Sequence, residues 1–388
     1  MQFETAKAAA ERLSVTPRAI QKWAKEGKIP NAYKAGRDWM IPVDAVKPAD
    51  FAHKAESNAD FEFPFMYDYM SGNLLNYIGS LEITNAKNIA MGEYYYFIGK
   101  LKDSSVLAEP YLNSKSTVLR TTAALFCIFS NLCRGHLHKS NFAVEIIMDC
   151  YKEAFEKNAS DFEKAINVLS VNTLNIQLHL PLKDTPPLID YVKFLPDDLK
   201  LFAFYLLAYV AYMNKEYQKT LGIVETAVNF SNKEYPISYA YLYIIKAIAN
   251  INLIRVHAAE KCIEKAWEYL GPDQLIMPIV EHYNLMQGLI ERYFKKRHPE
   301  SYEKIIEKVK QYNLSWYTMR NQSTDFKIHE VLTPTEFTIA MLYSRNWRAK
   351  EIAAHMDFSE RTIMNYIQVI YQKLQISGKK ELEKYMLK

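Results

Sequence analysis

The stretch 332–374, LTPTEFTIAMLYSRNWRAKEIAAHMDFSERTIMNYIQVIYQKL, sets the reading of the whole chain. Thr333 can cap the free N–H groups of a helix, Pro334 suits its first position, and Glu336 completes a capping box. That helix runs through Phe337, Ala340 and Met341 to about Ser344. Asn346 tolerates the left-handed conformation that ends it. A second short helix covers Ala349 to His355, Asp357 and Phe358 make a turn, and Ser359 caps a third helix over 360–374. In the third helix Ile363, Ile367, Ile370 and Leu374 form one apolar stripe. Its opposite face carries Arg361, Met364, Asn365, Gln368 and Gln372. An amide-rich, basic face on a short, capped helix suits a major groove, where Asn and Gln bond adenine edges bidentately.

LTPTE, KEIA at 350–353, FSERTI at 358–363, Asn365, KLQI at 373–376 and Glu381-Leu382 resemble the LuxR/GerE helix-turn-helix, in order and spacing, over about 57 residues. The resemblance implies a four-helix unit whose helix 360–374 is the recognition helix. It implies phosphate contacts by Lys350, Ser359, Thr362 and Lys373, with Met364, Asn365 and Gln368 facing bases. The chain departs from the family at Met364, where Lys is common, and at Asn346, where Gly is common. Met364 cannot bond a guanine edge, so a different sequence preference is expected.

Residues 1–47 form a second unit with its own turn signals. Thr5 can cap a helix through Leu13, and Thr16-Pro17 opens a second helix that Gly27 ends. Ala9, Leu13, Ile20 and Trp23 supply a small core, and Tyr33 to Ile41 alternates around Gly36-Arg37-Asp38 as a tight hairpin. Helix, turn, helix and wing is a layout that reads DNA. Thr16 at the start of the second helix, Arg18, Gln21 and Lys22 on its open face and Arg37 on the wing are the candidate contacts. AAERLSVTPRAIQKWAKEGKIP followed by KAGRDWMIP resembles the excisionase/MerR-type winged helix, which implies DNA binding by helix 17–25 and the hairpin.

Between these ends lies a long helical region rich in Tyr, Leu, Ile and Ala. LAYVAYMNKEYQKTLGIVETA (207–227) has the small-residue and aromatic spacing of a tetratricopeptide helix pair, with Ala208 where two helices approach closely. KAIANINLIRVHAAEKCIEKA (246–266) repeats it, with Ala247 for Ala208. QGLIERYFKKRHPESYEKIIEKV (287–309) reads as a looser copy with Gly288 in the small position, and 93–112 as a degenerate one. Tyr205, Tyr209, Tyr212, Tyr239, Tyr241 and Tyr243 are expected mostly in the core.

The expected fold is therefore mainly all-α: a winged helix-turn-helix at 1–50, a tetratricopeptide-like helical domain at 61–320 and a helix-turn-helix at 326–388. The scarcity of glycine, 11 in 388 residues, agrees. Net charge is only +4. Nine Lys/Arg against six Asp/Glu in 1–50, and the same counts in 332–388, make each end +3 and leave the middle at −2. Basic ends suit phosphate contacts. Cys127, Cys133, Cys150 and Cys262 sit in apolar helical stretches and read as buried thiols of a reducing cytoplasm. No signal peptide opens the chain, and no uncharged run is long enough for a bilayer. No glycine falls in a phosphate-binding loop pattern, His136-Leu-His138 reads as a loop pair and not a metal site, and no nucleophile–base set emerges. Neither enzyme activity nor a cofactor is expected. The expectation is a bacterial, cytoplasmic, one-component transcription regulator. Its expected partners are double-stranded DNA, a small-molecule or peptide effector in the helical middle, and a second copy of the chain. The alternative is a helical-repeat adaptor whose ends do not read DNA.

Overall fold

Short apolar stretches near the N-terminus build one small core. The computed structural model describes residues 3–12, 17–25, 29, 32–36, 38–43, 45, 68–157, 159–178, 185–229, 233–320 and 331–386. The chain divides into two units, Met1–Phe61 and Glu62–Lys388. In the first, β1 (Phe3–Thr5) leads into α1 (Ala6–Arg12), then α2 (Pro17–Lys25), β2 (Tyr33–Ala35) and β3 (Asp38–Pro42). The expected hairpin pairs Tyr33 with Met40 and turns through Gly36 at φ 62°, where a residue without Cβ is at ease. β1 was not expected. It adds an antiparallel third strand with Phe3 opposite Pro42, and three residues are too few to display alternation. Thr5 Oγ1 accepts the Ala8 N–H at 3.3 Å, so it does cap α1. Ala9, Ile20 and Trp23 are buried with Ala6, Ala10, Ala24, Ile29 and Ile41, whereas Leu13 and Gly27 lie outside the described residues.

The second unit begins with α3 (Leu74–Ser80), α4 (Thr84–Phe97), α5 (Leu101–Ala108), α6 (Thr117–Cys133), α7 (Leu137–Glu156) and α8 (Asp161–Gln177). It continues with α9 (Asp197–Met213), α10 (Tyr217–Val228), α11 (Pro236–Asn252), α12 (Val256–Leu270), α13 (Met277–His282), α14 (Leu289–Arg297) and α15 (Pro299–Arg320). α16 (Pro334–Ser344), α17 (Ala349–Met356), α18 (Glu360–Leu374) and α19 (Lys379–Met386) follow. Among the described residues no helix is long and apolar enough to cross a membrane. All four cysteines are free and buried.

Four helix pairs, α4–α5, α6–α7, α9–α10 and α11–α12, reverse through the same turn. The first helix ends, a left-handed residue follows at Gly99, Gly135, Lys215 or Ile254, and the next helix starts two residues later. The residue after it donates its N–H across the helix end: Lys100 to Tyr95 O, His136 to Asn131 O, Glu216 to Ala211 O, Arg255 to Asn250 O. This satisfies carbonyls that a helix end leaves unpaired. Small or hydroxyl residues then let the paired helices meet. Ala208 and Ala247 are fully buried as expected, Thr220 Oγ1 reaches Ala208 O at 3.3 Å, and Ser140 Oγ reaches Ile128 O at 3.0 Å. The degenerate copy at 93–112 forms such a pair. The pair α6–α7 was not anticipated, because Ile128 replaces the small residue that would have flagged it. The copy at 287–309 does not hold: Gly288 lies in no helix but precedes α14 with φ 83°.

α13 threads a polar pair into this helical body. His282 Nδ1 donates to Pro278 O at 2.7 Å, so its Nε2 accepts from Tyr205 O–H, also at 2.7 Å. Glu281 accepts from Tyr96 at 2.5 Å and from Tyr241 at 2.8 Å. Burial holds His282 down to about 4 and pushes Glu281 up to about 7. Of the six tyrosines expected in the core, five are buried and Tyr243 is half-buried; Tyr205 and Tyr241 also carry this network.

Candidate nucleic-acid interface

The capping box expected at the start of α16 is formed. Thr333 Oγ1 accepts the Glu336 N–H at 3.3 Å, and Glu336 Oε2 accepts the Thr333 N–H at 2.7 Å. Asn346, at φ 68°, ends that helix, and its side-chain oxygen accepts from Lys379 Nζ at 2.7 Å. Asp357, at φ 59°, makes the tight turn between α17 and α18. Ser359 Oγ accepts the Thr362 N–H at 3.0 Å and caps α18. These caps fix the angle between α17 and α18 without any long loop.

α18 sorts its residues as its periodicity predicts. Ile363, Ile367, Ile370 and Leu374 are buried, and burying four such side chains contributes roughly 1.5–3 kcal/mol each. Arg361, Met364, Asn365, Gln368 and Gln372 are exposed on the other side. Met364 is 44% exposed, high for a methionine with no partner to cover it. Val369 is 36% exposed on the same helix. It was not singled out in the sequence, although a β-branched residue off the isoleucine phase is a legible signal. Lys350 is exposed on α17, and Ser359 and Thr362 stand together at the N-terminus of α18, where peptide dipoles favour a phosphate.

Lys373 is placed differently. Its ammonium lies 2.7 and 2.9 Å from the two carboxylate oxygens of Glu336, which is buried. Burial raises the Glu336 carboxyl, but Lys373 and the Thr333 N–H outweigh it and hold it below the usual range. Lys373, which the family resemblance assigns to a phosphate, is thus paired with Glu336 while its side chain stays exposed.

The helix-turn-helix is also held by the helical body. His355 Nε2 bonds Gln287 O, Arg292 donates to Ala354 O at 3.2 Å, and Lys296 pairs with Asp357 at 2.6 Å. Gly288 lets the two surfaces meet: a Cβ there would lie 3.0 Å from Met356 and 3.2 Å from the His355 ring. Arg345 reaches back to Asn252 and Tyr212. The sequence marked Gly288, Asp357 and Tyr212 for other reasons, but none of these contacts was legible in it, since no local pattern reports a partner about 60 to 130 residues away. The outer face of α18 takes no part in them.

In the N-terminal unit Arg18, Gln21 and Lys22 lie exposed along one side of α2, away from the buried Ile20, Trp23 and Ala24. Thr16 and Arg37 lie outside the described residues.

Comparison with known families agrees with this geometry. Residues 330–386 match the family of bacterial regulatory proteins described as the luxR family, and residues 5–47 match a helix-turn-helix domain. The C-terminal unit is a LuxR-family helix-turn-helix, and the N-terminal unit is a second, excisionase-like one. No curated protein and no solved structure matches the chain.

Proposed function

We propose that this protein is a cytoplasmic, one-component transcription regulator that reads double-stranded DNA through α18 while its helical body senses an effector. The observation that carries the reading is the exposed row Arg361, Met364, Asn365, Gln368, opposite a buried isoleucine stripe and clear of the junction with the body. In this reading Lys350, Ser359 and Thr362 position the duplex through its phosphates, and Asn365 and Gln368 read base edges. Arg18, Gln21 and Lys22 make a second, N-terminal contact. The helical body has no role in catalysis in this reading.

A second reading, an adaptor that binds protein partners, draws on one feature. Ile189, Phe204, Leu207, Val210 and Ile223 line an open groove of about 650 Å3 along α9 and α10. Selection of duplexes from a genomic-fragment library by the purified full-length protein separates the two. The regulator reading expects a recovered motif whose binding weakens steeply with salt. No enrichment over input at low salt would sink it.

A further inference from the structure

The left-handed turn shared by the four helix pairs carries glycine in two of them and a side chain in the other two. Lys215 (φ 63°) and Ile254 (φ 60°) occupy a conformation that disfavours any residue with a Cβ, and a β-branched one most. Both side chains line one cleft of about 220 Å3. The same cleft is lined by Gln287, at φ 52° the third strained residue, and by Tyr217, Asn252, Arg345 and Trp347. Strain gathered around one concavity is a feature of ligand sites.

Two observations say what the cleft would take. Gln287 is fully buried, yet neither its amide nitrogen nor its amide oxygen has a hydrogen-bond partner among the described residues. A buried primary amide left unpaired is costly, and a ligand with polar atoms relieves it. Arg345 is half-buried and bonds only the neutral oxygens of Asn252 and Tyr212, so its charge has no carboxylate counter-ion among the described residues. The neighbouring acid, Glu216, is taken by Lys219 at 2.8 Å. Lys215 adds a second cation with no acidic partner described. Two cations, an unpaired amide and the rings of Tyr217 and Trp347 suit a planar anion, and a guanidinium fork matches a carboxylate. At about 220 Å3 the cleft is smaller than the usual pocket for a drug-sized molecule, which points to a small ligand.

We infer that this cleft binds a small organic carboxylate, held between Arg345 and Lys215 over the Gln287 amide. The inference rests on the effector-sensing reading above and names its site. Arg345 and Trp347 belong to the helix-turn-helix, whereas Lys215, Tyr217, Asn252 and Ile254 belong to the turns of the helical body. A ligand here bonds both at once, so its binding is linked to how the DNA-reading unit is held.

The test is calorimetric titration and thermal melting of the full-length protein with acetate, pyruvate, succinate, benzoate and inorganic phosphate. At least one carboxylate should bind and raise Tm by roughly 2 °C or more at saturation. Lys215→Gln, at an exposed position, and Arg345→Gln should each weaken that binding by roughly tenfold or more. Lys215→Gln should leave the melting temperature of the free protein unchanged, so its loss of binding is not a loss of fold. The inference is overturned if no carboxylate binds the wild type, if Lys215→Gln binds as tightly as wild type, or if phosphate binds as well as the best carboxylate. DNA affinity of the ligand-free protein is measured separately. A protein that binds a carboxylate but no duplex refutes the regulator reading alone, and one that binds duplex but no carboxylate refutes the cleft alone.

Discussion

Lys373 closes the helix-turn-helix on itself: its ammonium sits 2.7 Å from Oε2 of Glu336, joining the last turn of α18 to the first turn of α16. Glu336 is at once the capping-box residue of α16 and the counter-ion of α18. Lys373→Ala should therefore lower stability by about 1 kcal/mol, since an exposed lysine contributes modestly but leaves a buried carboxylate behind. Lys350→Ala should leave stability alone and reduce the salt slope of DNA binding by about 0.9. Melting curves and salt titrations of the two variants check this. A flattened slope with unchanged melting for Lys373→Ala would return that residue to the phosphates.

Base reading is expected from the amides. Asn365→Ala or Gln368→Ala should cost roughly 1–3 kcal/mol on the selected site and relax its sequence preference, with little change on unrelated duplexes. Competition binding against single-base variants of the site measures both. If Asn365→Ala changes neither affinity nor preference, α18 does not present this face to the groove.

The buried side of α18 should behave as core. Ile367 is 4% exposed, and Ile367→Ala should destabilise by about 2–5 kcal/mol. Gln372→Ala, five residues on and exposed, should change stability by less than about 0.5 kcal/mol. Urea melts of the full-length protein distinguish the two, and equal effects would contradict the helical phase.

Protonation should act on stability in two directions. Glu281 rises from 4.5 to about 7 on folding, so its contribution is fully present below pH 4.5 and is lost as pH rises to about 7. His282 and His355 fall from 6.5 to about 4, so theirs is present above pH 6.5 and is lost as pH falls to about 4. Each shift corresponds to about 3 kcal/mol. Glu281 offsets part of the histidine effect where the windows overlap, and Glu291, also raised by burial, acts in the same direction. Relative to wild type, Glu281→Gln should lose more stability on acidification below pH 6.5, and His355→Gln less. Urea melts across this window decide it; a Glu281→Gln slope no steeper than wild type would refute the assignment.

Two helix-turn-helix units in one chain should give two protected segments. A footprint of full-length protein on a selected site should show both, and deletion of residues 1–50 should remove one with a clear loss of affinity, because tethering makes the second contact intramolecular. An intact footprint after deletion would leave Arg18, Gln21 and Lys22 without a DNA role.

Much of this protein was decided locally, and so was readable from the chain. Capping by Thr333 and Ser359, the left-handed Asn346, the isoleucine stripe of α18 and the Tyr33–Ile41 hairpin each depend on residues within one or two turns of each other. Periodicity and turn chemistry report such short-range effects directly. The repeat at Ala208 and Ala247 was legible for the same reason, because close helix packing demands a small side chain at a set spacing. What the tertiary structure alone decided involves partners far apart in sequence. Gly288 looks like a repeat's small residue, yet its missing Cβ serves the approach of His355 and Met356. Lys373 reads locally as a free surface cation, yet Glu336, 37 residues away, pairs with it. The cleft of Lys215, Ile254, Gln287 and Arg345 draws on four separate segments, each unremarkable in its own neighbourhood. Local conformation is fixed by local sterics and hydrogen bonding. Which distant charges meet, and which stay unpaired, is set by how the helices stack.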